Sequence, residues 1–359
     1  MTPTFDKIHL KFKLNGISYN HSDLKEVGYS LVKEGDAAEK AAGDFLLDWL
    51  DKKSEVKVKT SGSTGTQKNI MLKKQSMVNS AVMTGDFFGL EPGDTAINCL
   101  PCSFIAGKMM LVRAMILGLE LDIVPPSLNP AYDHLKHYDF CAMIPIQLKN
   151  SLQRLNNIET LIVGGASVSN RIVKELSEVN AKVYEVYGMT ETVSHVAIKS
   201  LNHTSNSEAP FKTLRDVSIR TDERNCLIIN APELSEEEIH TNDIVKLVSK
   251  DSFEIIGRYD NLINSAGVKL FPELIEKKLQ DKINKRFLIA SKKDSELGEK
   301  VIMILESENN TIDDSVFSDL DKFEVPKEIY NLPKFVETET LKVQRQKTYD
   351  AVFSGVNSK

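Results

Sequence analysis

The chain opens on an alternation of apolar and polar side chains that predicts a β-hairpin. Between Ile8 and Leu14 the apolar residues occupy every second position, with lysine or histidine between them, and Asn15-Gly16 follows. Alternation on either side of an Asn-Gly pair is typical of two antiparallel strands joined by a tight turn. Apolar residues then recur at helical spacing over 38–50, and a second alternating stretch at 56–59 predicts a strand.

From residue 75 onwards, helical patterns alternate with short apolar runs. The helical patterns lie near 75–88, 107–117, 147–155 and 170–179, and the apolar runs lie at 95–97, 121–124, 141–144, 160–163 and 182–186. This alternation predicts an α/β domain with a largely parallel central sheet, because a crossover helix is what joins one parallel strand to the next.

The pattern changes after about residue 196. Short β-like runs at 226–229 and 243–248 are separated by polar turns, and they predict a small antiparallel β meander. From about residue 260 the chain returns to α+β patterning, with a helix starting near Pro272 and a β run at 301–305. The C-terminal part is therefore expected to form a structural unit of its own.

We predict two domains. The N-terminal domain covers 1–258, the C-terminal domain covers 259–359, and the boundary lies close to Arg258-Tyr259-Asp260. A chain of 359 residues with 41% hydrophobic content is long enough for such a division and can bury a sizeable core in each part.

Charge and composition exclude several classes of protein. The 45 Lys+Arg and 51 Asp+Glu leave a net charge of −6, so no global basic field holds nucleic acid. Apolar stretches fall far short of the roughly 20 residues that cross a bilayer, and no secretion signal opens the chain. We expect a cytoplasmic protein without membrane insertion. Cys99 and Cys102 form a C-x-x-C, but no second ligand pair accompanies them, and we expect no zinc or redox role.

The most informative loop follows the strand at 56–59. It reads Thr60-Ser61-Gly62-Ser63-Thr64-Gly65-Thr66-Gln67-Lys68. Glycines let the backbone approach a ligand, successive amides form an anion-binding nest, and the hydroxyls and the lysine complete a cradle for a polyphosphate. The spacing differs from that of a Walker A site, and the alternative is a Ser/Gly-rich surface loop.

Two further segments end predicted strands. Gly164-Gly165-Ala166 follows 160–163, where the glycines allow a flat ring to lie against the backbone; a tight βα turn is the alternative. Tyr187-Gly188-Met189-Thr190-Glu191 follows 182–186. Its aromatic ring can stack on a base, Thr190 can donate to a phosphate, and the carboxylate of Glu191 is a suitable Mg²⁺ ligand.

The remaining candidates carry weak signals when taken singly. Asp243 can accept hydrogen bonds from both hydroxyls of a ribose, and Arg258 can donate to the same sugar, although Asn242-Asp243 is also a common turn pair. Lys342 follows Pro333 in a loop near the C-terminus, where a solvated surface lysine is the alternative.

The order and spacing of these motifs resemble the adenylate-forming superfamily of acyl-CoA synthetases, nonribosomal peptide synthetase adenylation domains and luciferases, over about 56–346. The resemblance implies a large domain with parallel-rich sheets and a small mobile C-terminal domain. It implies catalytic roles for Lys342, Thr190 and Glu191, with magnesium at Glu191. It implies ATP or AMP contacts at Thr60, Ser61, Gly62, Ser63, Thr64, Gly65, Lys68, Gly164, Gly165, Ala166, Tyr187, Gly188, Met189, Thr190, Asp243 and Arg258. It places a hinge at Asp260 and a loop for the CoA step at Ser265, Gly267 and Lys269.

The chain departs from the superfamily pattern at several positions. Asn242 and Leu341 stand where glycines are usual, and Gln67-Lys68 replaces the usual Pro-Lys. The change at Leu341 affects how Lys342 is placed. The phosphate loop also begins unusually early, which suggests a compact member shortened at its N-terminus.

Within the superfamily the chain is similar to the short o-succinylbenzoate–CoA ligases of menaquinone biosynthesis. The similarity rests on overall length and on residues 100–113, which in such enzymes line the acyl pocket. Ile105, Gly107, Lys108 and Arg113 are therefore the expected substrate residues. Two cations suit an acid that keeps a second carboxylate, and the alternative is that both are surface or packing residues of a helix.

The resemblance implies two half-reactions. An acid carboxylate attacks the α-phosphorus of ATP and releases pyrophosphate, and CoA then takes the acyl group and releases AMP. ATP, Mg²⁺, CoA and a carboxylic acid are the expected ligands, and a homodimer is left open. The alternatives are a ligase for a different aryl or short acyl acid, and a nucleotide-binding homologue without turnover.

Overall fold

The computed structural model describes residues 3–60, 68–133, 135–204, 209–309 and 311–354. Helices of these ranges are α1 (His21–Glu34), α2 (Ala37–Trp49), α3 (Lys74–Phe88), α4 (Ile105–Leu117), α5 (Pro145–Ser151), α6 (Asn170–Glu175), α7 (Pro272–Leu279) and α8 (Arg345–Ser354). Short 3₁₀ segments lie at Leu152–Asn157, Leu176–Glu178, Tyr259–Asn261 and Asp314–Phe317.

The strands fall into three sheets. Those of the N-terminal half are β1 (Lys13–Leu14), β2 (Ile17–Ser18), β3 (Glu55–Lys59), β4 (Asn69–Lys73), β5 (Thr95–Asn98), β6 (Glu120–Ile123), β7 (Tyr138–Met143), β8 (Ile158–Val163), β9 (Lys182–Gly188) and β10 (His195–Ser200). The others are β11 (Phe211–Thr213), β12 (Ser218–Thr221), β13 (Cys226–Asn230), β14 (Ile239–Ser249), β15 (Ser252–Arg258), β16 (Ile263–Ser265), β17 (Val268–Leu270), β18 (Phe287–Asp294), β19 (Gly298–Glu306) and β20 (Glu328–Leu332).

A 13-stranded sheet runs through the larger part of the molecule in the order β12-β13-β14-β15-β11-β10-β9-β8-β7-β5-β6-β1-β2. The strands from β9 to β1 are parallel to one another, and those from β10 to β12 form an antiparallel meander. Strands β3 and β4 form a separate antiparallel hairpin on either side of the phosphate loop. The prediction of an α/β fold with a parallel sheet and a β meander is confirmed.

Sheet membership changes between Arg258 and Ile263. Strands β16 to β20 form a five-stranded sheet of their own, in which β19 is central and β20 runs parallel to it. Its core is built from one side of that sheet packed on α7, with Ile275 and Met303 fully buried. The division into domains at residue 258 stays a prediction.

From Gly107 to Ile116 every residue of α4 is buried between the large sheet and α3, and all of them except Lys108 and Arg113 are apolar. Gly85 allows the close approach, because a Cβ there would lie 2.9 Å from the side chain of Leu117. The thiols of all four cysteines are buried and unpaired. None of the helices in the described ranges combines the length and the apolarity that a membrane crossing requires.

The predicted elements appear with one correction. The hairpin around Asn15-Gly16 is present, but its strands are only two residues long, and Leu10 is 97% exposed instead of sharing a buried face with Phe12. The cause is a turn in which the N–H of Phe12 bonds the carbonyl of His9, so pairing with β6 begins only at Lys13. Alternation in the sequence therefore overstated the length of this strand.

Candidate functional site

A cavity of about 1020 Å³ opens at the carboxyl ends of β5, β7, β8 and β9. This is the edge of an open parallel sheet where ligands bind, because the connecting loops diverge there. Its lining brings together segments that are far apart in sequence: residues from the phosphate loop, α4, the strand ends, β14, β15 and the C-terminal hairpin at 337–343. The cavity is thus a composite of both parts of the chain.

The two ends of the predicted phosphate loop lie at this cavity. Thr60 and Lys68 line it, and they close the loop through a backbone hydrogen bond from the Thr60 N–H to the Lys68 carbonyl at 2.8 Å. The Lys68 N–H also donates to Thr60 Oγ1 at 3.0 Å. Ser61, Gly62, Ser63, Thr64 and Gly65, which were predicted to hold phosphates, lie outside the described residues.

The turn after β8 supplies a flat, open wall. Gly164, Gly165 and Ala166 line the cavity, and Gly165 has φ +93°, a conformation that favours glycine. A Cβ on Gly165 would lie 3.7 Å from Cε of Lys342, so the lysine passes close to this wall. The glycine turn and the C-terminal lysine, which lie far apart in sequence, therefore meet at one place.

Tyr187, Asp243 and Arg258 form a hydrogen-bonded group at the other wall. The Tyr187 hydroxyl donates to Asp243 Oδ2 at 2.6 Å, and Arg258 Nη1 donates to Asp243 Oδ1 at 2.9 Å. Burial and the neighbouring Asp243 carboxylate raise the pKa of Tyr187, so its hydroxyl keeps its proton. The three side chains hold one another in the arrangement that a sugar with two hydroxyls would meet.

The loop after β9 is closed by its own hydrogen bonds. The Met189 N–H donates to Thr192 Oγ1 at 2.9 Å, and the Val193 N–H donates to the Thr190 carbonyl at 2.9 Å. Gly188 is required next to it, since a Cβ there would collide with the carbonyl of Ser194. Thr190 and Glu191 both line the cavity, with Thr190 buried and Glu191 exposed.

Glu191 fits the metal role. It belongs to no ion pair within the described ranges, and it stands on the cavity wall. A free carboxylate beside a polyphosphate site is the donor set that Mg²⁺ takes, together with phosphate oxygens and water.

Lys342 enters the cavity from a tight hairpin. The Thr338 N–H donates to the Lys342 carbonyl at 2.9 Å, and the Lys342 N–H donates to Thr338 Oγ1 at 3.1 Å. Leu341 has φ +61°, the left-handed conformation for which a glycine would be the usual choice. Burial, with a contribution from Arg258, lowers the pKa of Lys342. The hairpin thus keeps the left-handed conformation despite Leu341, and no carboxylate of the described residues pairs with the Lys342 ammonium.

Arg113 of α4 also lines the cavity, as does Ile105. The Arg113 residue is 2% exposed; its Nε donates to Thr84 Oγ1 at 3.2 Å and its Nη2 donates to Ser194 Oγ at 2.6 Å. Burial lowers its pKa to about 10. Its hydrogen-bond partners among the described residues are all neutral, so the guanidinium keeps donors for an anion.

Two predicted substrate residues lie elsewhere. The ammonium of Lys108 lies 4.7 Å from the ring centre of Phe45 in α2, and burial lowers its pKa; it does not belong to the cavity wall. Gly107 packs against the carbonyls of Leu100 and Pro101, where a Cβ would not fit. Both pack within the core around α4 and stand outside the cavity lining, so their assignment to the substrate stays a prediction that this geometry does not support.

The predicted hinge and CoA-step residues stand outside the cavity lining. Asp260 accepts from Arg258 Nη2 at 3.0 Å and from Asn242 Nδ2 at 3.2 Å, so Asn242 makes a contact that a glycine could not. Ser265 is buried in β16, Gly267, with φ +80°, lies in the exposed turn between β16 and β17, and Lys269 is exposed in β17. These roles stay predictions.

The cavity also contains polar residues that no motif indicated. Ser194 and His195 follow the loop after β9 directly, so their nearness to Glu191 in sequence was an available signal. Lys59 ends β3 next to the phosphate loop. Arg286 and Glu337 pair with each other beside the Lys342 hairpin, and their sequence surroundings offer no comparable signal.

The chain matches a known protein family and is similar to a solved structure over most of its length. Residues 59–221 match the family described as AMP-binding enzyme. A solved structure from Dyadobacter fermentans, described as an acyl-CoA synthetase (AMP-forming)/AMP-acid ligase II-like protein, is 33% identical with a TM-score of 0.59; the alignment covers 91% of this chain and 98% of that one.

More distant relatives share the fold. The o-succinylbenzoate coenzyme A synthetase of Bacillus subtilis, solved in complex with ATP and magnesium ion, aligns with a TM-score of 0.73 and 17% identity over 94% of this chain and 83% of that one. The 2-succinylbenzoate–CoA ligases of Bacillus cytotoxicus and Escherichia coli are 21% and 23% identical over 80% of this chain. The chain spans 68% and 66% of their lengths.

Proposed function

The chain belongs to the AMP-forming acyl-CoA synthetase and AMP-acid ligase family, and on that premise we propose that it is an ATP-dependent acid–CoA ligase. Its acid is o-succinylbenzoate, the acid in the names of the curated relatives. Adenylation comes first: a carboxylate oxygen of the acid attacks the α-phosphorus of ATP, and pyrophosphate leaves with the electrons of the broken P–O bond.

One observation carries this proposal. Two cations from different parts of the chain, Lys342 of the C-terminal hairpin and Arg113 of α4, line the cavity, and neither is paired with a carboxylate among the described residues. An acid with a second carboxylate matches both. The carboxylate to be activated and the α-phosphate would meet Lys342, while the second carboxylate would meet Arg113.

The cavity offers a separate group of residues for each part of the nucleotide. Asp243 and Arg258 would bind the ribose, Gly164 to Ala166 and Tyr187 would flank the base, and the phosphate loop beginning at Thr60 would bind the β- and γ-phosphates. Magnesium, held by Glu191 and phosphate oxygens, would neutralise charge on the triphosphate. Phosphoryl and adenylyl chemistry of this kind depends on positioning and charge neutralisation more than on covalent help.

The second half-reaction would use the same cavity. The CoA thiolate attacks the acyl carbon, and AMP leaves with the electrons of the broken acyl–oxygen bond. Asp260 is the proposed pivot, and the turn at 265–269 is the proposed CoA-step loop, brought to the cavity as the C-terminal region rotates. CoA and the two-domain division at 258 belong to the proposal and rest on the family.

Exchange of labelled pyrophosphate into ATP tests the function. Purified protein with Mg²⁺ and o-succinylbenzoate should catalyse exchange, and addition of CoA should give the thioester and AMP. A panel of other aryl and short acyl acids runs beside it. Faster exchange with another acid would replace the substrate and keep the reaction class. Nucleotide binding without exchange for any acid would overturn the proposal in favour of a non-catalytic homologue.

A further inference from the structure

Arg113 belongs to a closed ring of buried polar side chains beside the cavity. It contacts Thr84 of α3 and Ser194 before β10, and His195 of β10 contacts both of them. His195 Nε2 lies 3.4 Å from Thr84 Oγ1, and His195 Nδ1 lies 3.3 Å from Ser194 Oγ. Thr84 is fully buried and His195 is 5% exposed. The mechanism above uses only Arg113 of this ring.

The chemistry of the donors assigns every proton in the ring. Thr84 donates its hydroxyl proton to the carbonyl of Ser80 at 2.9 Å, so toward Arg113 and His195 it can only accept. His195 must then carry its proton on Nε2 and leave Nδ1 as an acceptor. Ser194 accepts from Arg113 and has its own proton free for His195 Nδ1. The ring is therefore satisfied by one arrangement, with His195 as the neutral Nε2–H tautomer.

A second proton on His195 would break this arrangement. Nδ1 would become a donor facing Ser194, and a new positive charge would stand beside Arg113 in a buried place. Among the described residues, the groups that face the imidazole are Thr84 and the ring of Phe88 from α3, Arg113 from α4 and Ser194 from the loop before β10, and none of them is a carboxylate. Burial and Arg113 accordingly lower the pKa of His195 well below the usual value.

The ring is also tied to the nucleotide side of the cavity. The carbonyl of Ser194 accepts from Thr192 Oγ1 at 2.7 Å, and the same hydroxyl oxygen accepts from the Met189 N–H. His195 pairs with Gly188 across β9 and β10. One hydrogen-bond network therefore connects Arg113 with the loop that carries Thr190 and Glu191.

We infer that His195, as the neutral Nε2–H tautomer, is a positioning residue that holds Arg113 aimed at the second carboxylate of the acid. This inference rests on the proposed acid–CoA ligase function, and it extends that function by naming the residue that sets selectivity for diacids. Without the imidazole, Thr84 and Ser194 lose a shared partner and the guanidinium gains freedom to turn. Selectivity for an acid with a second carboxylate then falls, while the adenylation machinery around Lys342 is untouched.

The test compares o-succinylbenzoate with its analogue that lacks the ring carboxylate. The ratio of kcat/KM for the two acids is measured by pyrophosphate exchange in the wild type, His195→Ala and His195→Gln. His195→Ala should lower the ratio about tenfold, through KM for the diacid, as expected for one misplaced charged hydrogen bond. His195→Gln keeps one acceptor and one donor, so it should retain most of the ratio. His203→Gln is the matched control, because His203 contacts Val179 and lies away from the cavity.

Equal losses with both acids in His195→Ala would show a merely structural role and overturn the inference, as would an unchanged ratio. A measurement without substrate stands beside this one: ¹⁵N NMR of the histidine rings at neutral pH, assigned with His195→Gln. It should show the neutral Nε2–H form, and an Nδ1–H or charged ring would overturn the inference. If the wild type showed no exchange, only the proposed function would be contradicted. The NMR measurement needs no substrate, so it would still test the tautomer of His195.

Discussion

The two cations of the cavity are held in opposite ways. Arg113 of α4 is held by Thr84 of α3 and by Ser194 of the loop before β10, and it has almost no exposed surface. Lys342 is partly buried and stands on a hairpin from the C-terminal region, where Thr338 holds the backbone but no acceptor within the described ranges holds the ammonium. The Arg113 guanidinium is fixed by its own surroundings, whereas the Lys342 ammonium is carried by a separate segment near the C-terminus.

This difference shows how selection of the acid and activation of its carboxylate can be assigned to separate residues. A rigid guanidinium discriminates between acids because its geometry is set before the ligand arrives. An ammonium on a separate segment can neutralise charge in one step and be withdrawn in the next, if the C-terminal region rotates as proposed. Substitutions of the two cations should therefore fail in different ways.

The largest effect is expected for Lys342→Ala. Removing the charge that compensates the acid carboxylate and the α-phosphate should lower pyrophosphate exchange about 100-fold to 1000-fold. Thioester formation from supplied acyl-adenylate should be spared, because that step does not need this charge. The exposed Lys334 offers a control substitution, Lys334→Ala, which should keep both activities. Equal loss of both half-reactions in Lys342→Ala would contradict the separation.

An intermediate effect is expected for Arg113→Met. Methionine fills much of the buried volume but offers no donor, so KM for o-succinylbenzoate should rise about tenfold to a hundredfold, the worth of a charged hydrogen bond. KM for ATP should change little. Steady-state exchange rates over a range of both substrates measure this. An equal rise in KM for the analogue that lacks the ring carboxylate would show that Arg113 stabilises the fold and does not bind the second carboxylate.

The smallest effect concerns pH at Lys342. Its charged form is required, and burial lowers its pKa from the ordinary value of 10.5, so kcat/KM for ATP should fall with rising pH already below that value. Arginine stays protonated, so in Lys342→Arg this alkaline decline should move upward, although the rate itself is reduced. A profile of kcat/KM between pH 7 and 10.5 checks this. An alkaline decline unchanged by the substitution would assign it to another group.

The elements were predictable wherever the pattern was long and locally consistent. The helices at 75–88 and 107–117 and the strands at 160–163 and 182–186 appear within a few residues of their predicted positions. The N-terminal strand was overestimated, because alternation reports which side chains suit a sheet but not where a partner strand is available. Helix α1 was missed, since its apolar residues are sparse and only Leu24 and Gly28 are buried.

The residue types of the site and their order along the chain were predictable from the sequence. Thr60, Lys68, Tyr187, Asp243, Arg258 and Lys342 were indicated by motifs, and the structure places all of them around one cavity. Lys108 was not separable from Arg113 in sequence, as both are cations on the same helix. Only packing shows that one lies over Phe45 while the other reaches the cavity. Leu341 was expected to disturb Lys342, yet its backbone still adopts the left-handed conformation.

The sequence by itself determined the α/β alternation, the order of the ligand-binding segments and the family to which they belong, because strand and helix periodicity and loop chemistry are local properties of the chain. Tertiary structure decided which polar side chains share a cavity and which protons they hold. Burial, charge and hydrogen-bond partners at His195 come from α3, α4 and β9 together, and residues separated by more than a hundred positions along the chain meet only when it folds.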